Sequence, residues 1–264
     1  MAEAHVLVET DGDGVTTITL NRPEALNSLS LEVETTLQEI VPALASNKDC
    51  RVVVITGAGR AFSAGGDVKG MVPGGSWDLP QEGRKKRLEA LHSVAMALHA
   101  LPQPTIAMVN GVAAGAGCNL ALSCDMRVAS ESSKFLLAFR NVGLGDDMGG
   151  AWLLPRLVGV GKTLELFFTG KVIDAAEAQR IGMVNRVVPA ESLAEETYGL
   201  ARSLAAGPCK ALGLLKEEIY GSIGWSFQEL LDFEAERQSA LMSEHDHQEG
   251  VAAFVEKRQP TFKD

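Results

Sequence analysis

The sequence predicts an α/β protein with a helical carboxyl-terminal region. Three observations indicate this class. Strand and helix signals alternate through the first half, helical patterns dominate the second half, and two glycine-rich turns follow buried strands. The chain has 264 residues, which fits one or two domains. We predict a core over residues 1–205 and a helical region over residues 206–264.

Two β-rich runs open the chain, at His5–Thr10 and Val15–Leu20. The Asp-Gly-Asp-Gly link between them is a hairpin signature. Ser30 can cap a helix that runs to about Ser46 and carries its apolar residues on one face. The chain therefore begins with a hairpin followed by an amphipathic helix.

Three short apolar or β-branched runs predict buried strands, at Arg51–Thr56, Thr105–Val109 and Asp125–Ala129. An amphipathic helix through Leu88–Leu98 separates the first two. It opens with the basic run Arg84–Arg87. We expect that run to form a solvated charged face, and a position near a ligand phosphate stays open.

The second half is predicted to be helical. A capping-box-like pair (Asp174, Glu177) and a glycine stop (Gly182) delimit a short helix, and Ser226 with Glu229 forms a capping box. Further helices are expected near 190–206, 208–222, 226–242 and 247–257. A helical tail of this length needs a surface against which to bury its apolar face, so we expect oligomerisation.

Charge and composition exclude several classes of protein. The net charge of −10 argues against nucleic-acid binding, although local cations could still hold a polyanionic small ligand. The stretch Pro104–Cys124 is uncharged, but Asn110 and Asn119 interrupt it, and we predict no membrane span. The four cysteines form no CxxC pair, and the first residues show no signal pattern. Both observations favour a cytoplasmic protein.

Three short motifs imitate ligand sites. Gly159–Thr163 resembles the end of a phosphate-binding loop, but Arg156 stands where its first glycine belongs. Gly57–Gly59 follows a strand, yet Phe62 replaces the third glycine of a dinucleotide fingerprint. Glu244–His247 is rich in metal-ligand atoms, but such neighbours rarely converge on one ion. We expect a helix start, a plain turn and a solvated loop, and no metal site.

The chemistry is concentrated in two glycine-rich turns, Val54–Asp67 and Val109–Asn119. Small residues let a ligand approach the backbone, and the free N–H groups at a helix start point outward. Two such turns on neighbouring strands could direct two N–H groups at one oxygen, as in an oxyanion hole. Tight packing of helix on strand explains the same residues equally well.

The sequence resembles the crotonase superfamily, the enoyl-CoA hydratase/isomerase family, along nearly its whole length. Five motifs in family order carry the resemblance: Leu20–Asn27, Phe62–Asp67, Asn110–Gly117, Gly149–Arg156 and Glu249–Arg258. The resemblance implies a crotonase-like ββα spiral core and an acyl-CoA thioester substrate. It also implies a carboxyl-terminal region that builds homotrimers, commonly paired into hexamers, with coenzyme A present only as part of the substrate.

The resemblance also assigns residues. The two oxyanion N–H groups would come from Gly66 and Ala116. The residues expected along the coenzyme A groove are Ala25, Leu26, Ala64, Asp67 and Val68, with Phe254 and Lys257 reaching the nucleotide, often from a neighbouring subunit. Two N–H donors on the thioester oxygen would stabilise an enolate by about 3 kcal/mol each.

Both glutamates that typical hydratases use are replaced, by Asn119 and Phe139. Water addition is therefore in doubt, and the best remaining acid is Asp147. An aspartate at this place resembles a ring-epoxide isomerase of phenylacetyl-CoA and related enoyl-CoA isomerases. We expect isomerisation with Asp147 acting first as base and then as acid. A role for Asp146 or Asp147 only as a cap of the next helix stays open.

Three other functions remain. One is an enoyl-CoA hydratase that handles water with other groups, and another is a catalytically silent protein that binds CoA thioesters. The third is an aryl-CoA dehalogenase, for which Asp147 and His92 match but Gly66 and Phe139 do not. The irregular segment Met71–Pro80 is expected to line the acyl pocket and set its specificity.

Overall fold

The computed structural model describes residues 4–263, which form two β-sheets with helices packed around them. The larger sheet contains, in spatial order, β1 (Val6–Thr10), β2 (Val15–Leu20), β3 (Val52–Gly57), β5 (Thr105–Val109), β7 (Met126–Ser130) and β10 (Arg186–Val188). The smaller sheet contains β4 (Ala61–Ser63), β6 (Val112–Ala114), β8 (Lys134–Leu136) and β9 (Ile173–Asp174).

The helices follow the predicted order. They are α1 (Leu31–Leu44), α2 (Gln81–Ala100), α3 (Ala116–Leu122), α4 (Gly150–Val158), α5 (Val160–Thr169), α6 (Ala175–Arg180), α7 (Leu193–Ala205), α8 (Cys209–Gly221), α9 (Phe227–Leu241) and α10 (His245–Glu256). Short 3₁₀ turns lie at Pro23–Ala25, Val68–Met71, Ala138–Val142 and Ala190–Ser192. Across residues 4–263, no helix is both long and apolar enough to span a bilayer.

The larger sheet confirms the predicted hairpin and buried strands. β1 and β2 pair antiparallel, while β2, β3, β5 and β7 run parallel to one another. Every residue of β3 is buried, and its side chains alternate between two apolar clusters. Val53 and Ile55 face the cluster under α1 and α2, whereas Val52 and Val54 face α7. This two-sided burial explains why the strand is a continuous β-branched run.

Capping residues fix the helix ends where the sequence predicts them. The Ser30 hydroxyl accepts the Val33 N–H, the Asp174 carboxylate accepts the Glu177 N–H, and Ser226 and Glu229 form a reciprocal capping box. Each cap satisfies a backbone donor that has no partner inside the helix. The segment between Met71 and Pro80 is irregular, as expected.

The carboxyl-terminal helices rest on the core through few contacts. On α8, Lys216 pairs with Asp125 at 2.9 Å and Tyr220 donates to the same carboxylate at 3.0 Å. Within the described chain, α8 and α9 contain no fully buried residue. Leu215 and Ile219 on α8, with Ile223 just after its end, form an exposed apolar stripe. The boundary predicted at residue 205 coincides with the end of α7, but the division into core and trimerisation region stays a prediction.

Two expectations about charged segments were wrong. Arg84, Lys85 and Lys86 are exposed, but Arg87 is buried, because it pairs with an acid on α1. Glu244–His247 is not a solvated loop: it begins α10, and Asp246 is buried and accepts the Lys263 N–H at 2.9 Å. The amino-terminal pattern that argued against a signal sequence falls partly on residues 1–3, outside the described range.

Candidate active site

Two glycine-rich turns meet at the ends of β4 and β6. Gly65 in the first turn has a φ of +83°, which favours glycine. A Cβ placed on Gly65 would lie 2.4 Å from the Ala114 carbonyl oxygen and 3.1 Å from the Ala116 nitrogen, both in the second turn. Glycine is therefore required at this position, and the two backbones touch there.

The two amides expected to form an oxyanion hole flank this contact. Ala116 is the first residue of α3, where an N–H has no acceptor inside the helix. Gly66 follows Gly65, whose carbonyl accepts the Leu29 N–H at 2.8 Å. Over residues 4–263, neither Gly66 nor Ala116 donates its N–H to another residue. Both N–H groups are therefore available to an external acceptor.

Five of the expected coenzyme A residues lie around the first turn. The Leu26 carbonyl accepts the Ala64 N–H at 2.8 Å, and Ala25 ends the preceding 3₁₀ turn. The Asp67 carboxylate accepts the Lys69 N–H, and neighbouring Val68 is exposed. The chain therefore gathers these residues along one edge of the site.

The other two expected nucleotide contacts lie elsewhere in the chain. Phe254 is 84% exposed on α10, and Lys257 caps that helix with a φ of +56°. In the described residues, no hydrogen bond or ion pair joins either one to the first turn. Their assignment stays a prediction that depends on a neighbouring subunit.

The two aspartates before α4 differ in environment. Asp146 accepts the Ala151 N–H at 2.5 Å and the Asn119 side-chain amide at 2.7 Å, so Asp146 is the residue that caps α4. Asp147 is partly buried, and its Oδ1 atom is enclosed without a hydrogen-bond partner in the described chain. The carboxyl of Asp147 is therefore not used for capping.

Burial is the largest of three causes that together raise the pKa of Asp147 to about 7; the other two are the like charges of Asp146 and Glu34. Burial also raises the pKa of Asp146, while hydrogen bonds from Ala151 and Asn119 oppose that shift. Asp147 can therefore exchange a proton near neutral pH.

The two positions that carry glutamate in typical hydratases have other roles in this chain. Asn119 is fully buried on α3, and its amide also donates to the Asp147 carbonyl at 2.8 Å. Phe139 stacks on Phe167 with ring centroids 6.2 Å apart and lies 3.9 Å from a Cβ placed on Gly115. Asn119 thus links α3 to residues 146 and 147, and Phe139 contributes an apolar surface.

His92 lies on α2 beside a cavity of about 330 Å³ that includes Met148, Gly149 and Trp152. Its Nε2 atom is buried and has no hydrogen-bond partner within residues 4–263. The cavity continues from the residue that follows Asp147, so His92 borders the same region as the candidate acid.

Glu34 and Arg87 form a buried ion pair that the sequence analysis missed. Glu34 is 1% exposed, and the Arg87 Nε donates to it at 2.8 Å. A signal was present in the sequence. Glu34 precedes Leu37 by three residues, and Arg87 precedes Leu91 by four, so each charge falls on the apolar face of its helix. A charge on such a face predicts a buried partner.

The two sheets and the touching glycine-rich turns define an α/β protein in which two neighbouring backbone N–H groups have no acceptor in the described chain. A sequence profile described as enoyl-CoA hydratase/isomerase matches residues 10–264, and the chain belongs to that family. It is 40% identical to the 1,2-epoxyphenylacetyl-CoA isomerase of Escherichia coli over 94% of this chain and 95% of that protein.

Other relatives are named as hydratases. A Rhizobium meliloti protein named as a probable enoyl-CoA hydratase is 37% identical over all of this chain and 99% of its own length. The crystal structure of an enoyl-CoA hydratase from Bacillus anthracis superposes with a TM-score of 0.92 at 35% identity, covering 98% of this chain and 99% of that one. The crotonase-like fold and membership of an acyl-CoA enzyme family are thus confirmed, whereas the reaction is not.

Proposed function

We propose that this protein is an acyl-CoA isomerase that isomerises a double bond or a ring next to a thioester. In the double-bond case, the Asp147 carboxylate removes a proton from C2 of a 3-enoyl-CoA. The C–H electrons form the C1–C2 double bond of a dienolate as the thioester π electrons move to the oxygen, and the C3–C4 double bond remains. Protonated Asp147 then gives the proton to C4, which takes it with the C3–C4 π electrons. The C1–C2 electrons become the C2–C3 double bond and the thioester carbonyl forms again, which yields the conjugated 2-enoyl-CoA and regenerates the carboxylate.

The free amides of Gly66 and Ala116 support the enolate step. A thioester α-proton is weakly acidic, so its removal needs donors fixed where the negative charge develops. These two N–H groups flank the contact between Gly65 and Ala116 and are not used inside the described chain. Each donor is worth on the order of 3 kcal/mol in such a site.

The single observation that carries the proposal is the environment of Asp147. A proton shuttle must be ionised before the first transfer and protonated before the second, so a pKa near the working pH serves both. Burial raises the pKa of Asp147 to about 7. The Oδ1 atom accepts no hydrogen bond in the described chain, so its lone pairs are not committed to an internal donor.

Hydration of a 2-enoyl-CoA is the second candidate, because several relatives carry that name. Paired carboxylates orient and activate water in that reaction. Here the Asn119 amide is committed to Asp146 and Asp147, and Phe139 is apolar. Both substitutions favour isomerisation over hydration.

The remaining assignments belong to the same proposal. Ala25, Leu26, Ala64, Asp67 and Val68 would line the coenzyme A groove, and Phe254 with Lys257 would close it across a subunit boundary. The exposed stripe on α8 and the absence of buried residues in α8 and α9 within the described chain support a homotrimer or a pair of trimers. A cytoplasmic enzyme of fatty acid metabolism fits this substrate class.

The test is turnover of 3-enoyl-CoA and 2-enoyl-CoA panels, followed by mass spectrometry and ultraviolet detection of the conjugated product. Double-bond migration at constant mass supports isomerisation, and a gain of one water indicates hydration. Binding without turnover indicates a silent protein, and loss of halide from an aryl-CoA indicates dehalogenation.

Asp147→Asn should lower kcat by about 100-fold or more. Asp49→Asn makes the same chemical change at an exposed turn and is the matched control. Turnover by Asp147→Asn equal to that of the control would refute the proposed role.

A further inference from the structure

The chain that follows the first glycine-rich turn forms a compact loop over it. The Met71 Cε atom lies 3.4 Å from a Cβ placed on Gly66, so this side chain covers the turn. The Trp77 N–H donates to the Gly70 carbonyl at 2.8 Å, which closes the loop on itself. A Cβ on Gly70 would lie 2.5 Å from the Ser76 hydroxyl oxygen. The loop is therefore closely packed and continuous with the candidate oxyanion site.

Arg87 on α2 contacts this loop at Ser76 and Trp77. The Arg87 Nη1 donates to the Ser76 carbonyl at 2.9 Å and to its hydroxyl at 3.2 Å. The Arg87 guanidinium also lies over the Trp77 ring, 3.8 Å from the centroid. A planar guanidinium can stack and donate at the same time, which an ammonium group cannot match.

The opposite edge of the same guanidinium binds Glu34 on α1. Nε and Nη2 donate to the two carboxylate oxygens at 2.8 Å and 3.1 Å, and both side chains are buried. Desolvation offsets most of the attraction in such a pair, so an apolar pair of similar volume would serve stability as well or better. Stability alone therefore does not account for these charges.

The charge of Glu34 also reaches the candidate acid. It is one of the causes, after burial and Asp146, that raise the pKa of Asp147. On the neighbouring Asp146, His92 of α2 acts in the opposite direction and lowers the pKa. Arg87 therefore links the loop over the oxyanion turn with a carboxylate whose charge acts on Asp147.

We propose that Arg87 and Glu34 are a positioning pair of the active site, in which the Glu34 carboxylate orients the Arg87 guanidinium and the guanidinium fixes the 68–80 loop as a wall of the acyl pocket. This inference rests on the proposed function, because it assigns the loop to the acyl pocket of that enzyme. Arg87 acts through the loop, and Glu34 acts through Arg87. The charge of Glu34 on Asp147 is a second effect of the pair.

Two variants separate these effects. Glu34→Gln removes the negative charge, so the acid limb of the pH profile of kcat/KM should move to lower pH. Glu34→Gln/Arg87→Met removes both charges and leaves no unpaired buried ion, which keeps the test usable if the single variant fails to fold. In the double variant, hydrogen exchange of the 68–80 amides should accelerate about tenfold or more, because the loop loses charged hydrogen bonds. Its acid limb should also move down, by a smaller amount.

Glu177→Gln is the matched control, since Glu177 pairs with Arg180 at an exposed site on α6. It should change neither measurement. An acid limb that stays in place in Glu34→Gln and in the double variant, while Asp147→Asn is inactive, overturns the charge role. If hydrogen exchange of the 68–80 amides is unchanged in the double variant, Arg87 and Glu34 do not fix the loop and the proposal is overturned. If Asp147→Asn keeps its turnover, the proposed function fails instead, and loop exchange still decides whether the pair holds the loop.

Discussion

Replacing the candidate catalytic acid should make the folded protein more stable at alkaline pH. In Asp147→Asn, a neutral amide of nearly the same shape takes the place of a partly buried carboxyl whose Oδ1 atom has no partner in the described chain. Wild-type protein must keep a negative charge there above neutral pH, beside Asp146 and Glu34. The variant carries no such charge, so it avoids the desolvation and the repulsion.

The size of the effect follows from the pKa of Asp147. Burial, then Asp146 and Glu34, raise it from 3.8 to about 7 in the folded protein. The folded protein therefore keeps a proton that the unfolded chain releases between about pH 4 and pH 7. The favourable contribution is complete below pH 4 and is lost as pH rises to 7. Three units correspond to about 4 kcal/mol as an upper limit. The advantage of Asp147→Asn should thus grow by about 2–3 kcal/mol between pH 5 and pH 8.

The assay is urea denaturation of both proteins at one protein concentration across that pH range. Asp146→Ala is the neighbouring control and should have the opposite effect at pH 8. It loses the cap on Ala151 and the bond from Asn119, at a cost of about 1–3 kcal/mol. A difference between wild type and Asp147→Asn that is constant with pH would refute the assignment of the raised pKa to Asp147.

Three further predictions concern the parts that hold the site together. Asn119→Ala removes both bonds that tie residues 146–147 to α3, so it should destabilise the fold by about 2–4 kcal/mol and lower kcat more than it changes KM. Denaturation and steady-state kinetics measure this, and a change in KM alone would contradict it. Gly65→Ala places a Cβ 2.4 Å from the Ala114 carbonyl oxygen at a φ of +83°, and should cost about 1–3 kcal/mol and separate the two turns. A variant of wild-type stability and activity would show that the turns need not touch. Ile219→Asp adds a charge to the exposed stripe of α8 and should give a smaller species by light scattering with unchanged circular dichroism, whereas an unaltered mass would place the interface elsewhere.

Local sequence patterns were sufficient to predict five of the six strands of the larger sheet and the capped starts of three helices; the strand β10 was not predicted. β3 is a β-branched run buried on both faces, and Ser30 and Ser226 cap helices through their own side chains. The smaller sheet was not predicted, because its strands span only two or three residues and exist only where distant segments pair. Arg87 and Asp246 were misjudged for the same reason. A charged run looks solvated until its partner from another part of the chain is known.

Motifs in the sequence identified the candidate site residues, but they did not show which role each residue has. The sequence left Asp146 and Asp147 equivalent as possible caps of α4. Only the fold shows that the Ala151 N–H and the Asn119 amide both go to Asp146. Likewise, part of the rise in the pKa of Asp147 comes from the charge of Glu34 on α1, more than a hundred residues away in the chain.

Restoring the two glutamates of typical hydratases would not by itself create a hydratase. A glutamate at position 119 would bring a third carboxylate to Asp146 and Asp147, where burial already opposes ionisation. It would also lose the amide donor that fixes the backbone of residue 147. A Cβ on Gly150 would lie 2.4 Å from the Asn119 Oδ1, so α4 begins against this side chain and leaves no room for a longer one. Asp147 therefore forms one packed unit with Asn119, Asp146 and Gly150. A change of reaction would require substitutions at several of these positions at once.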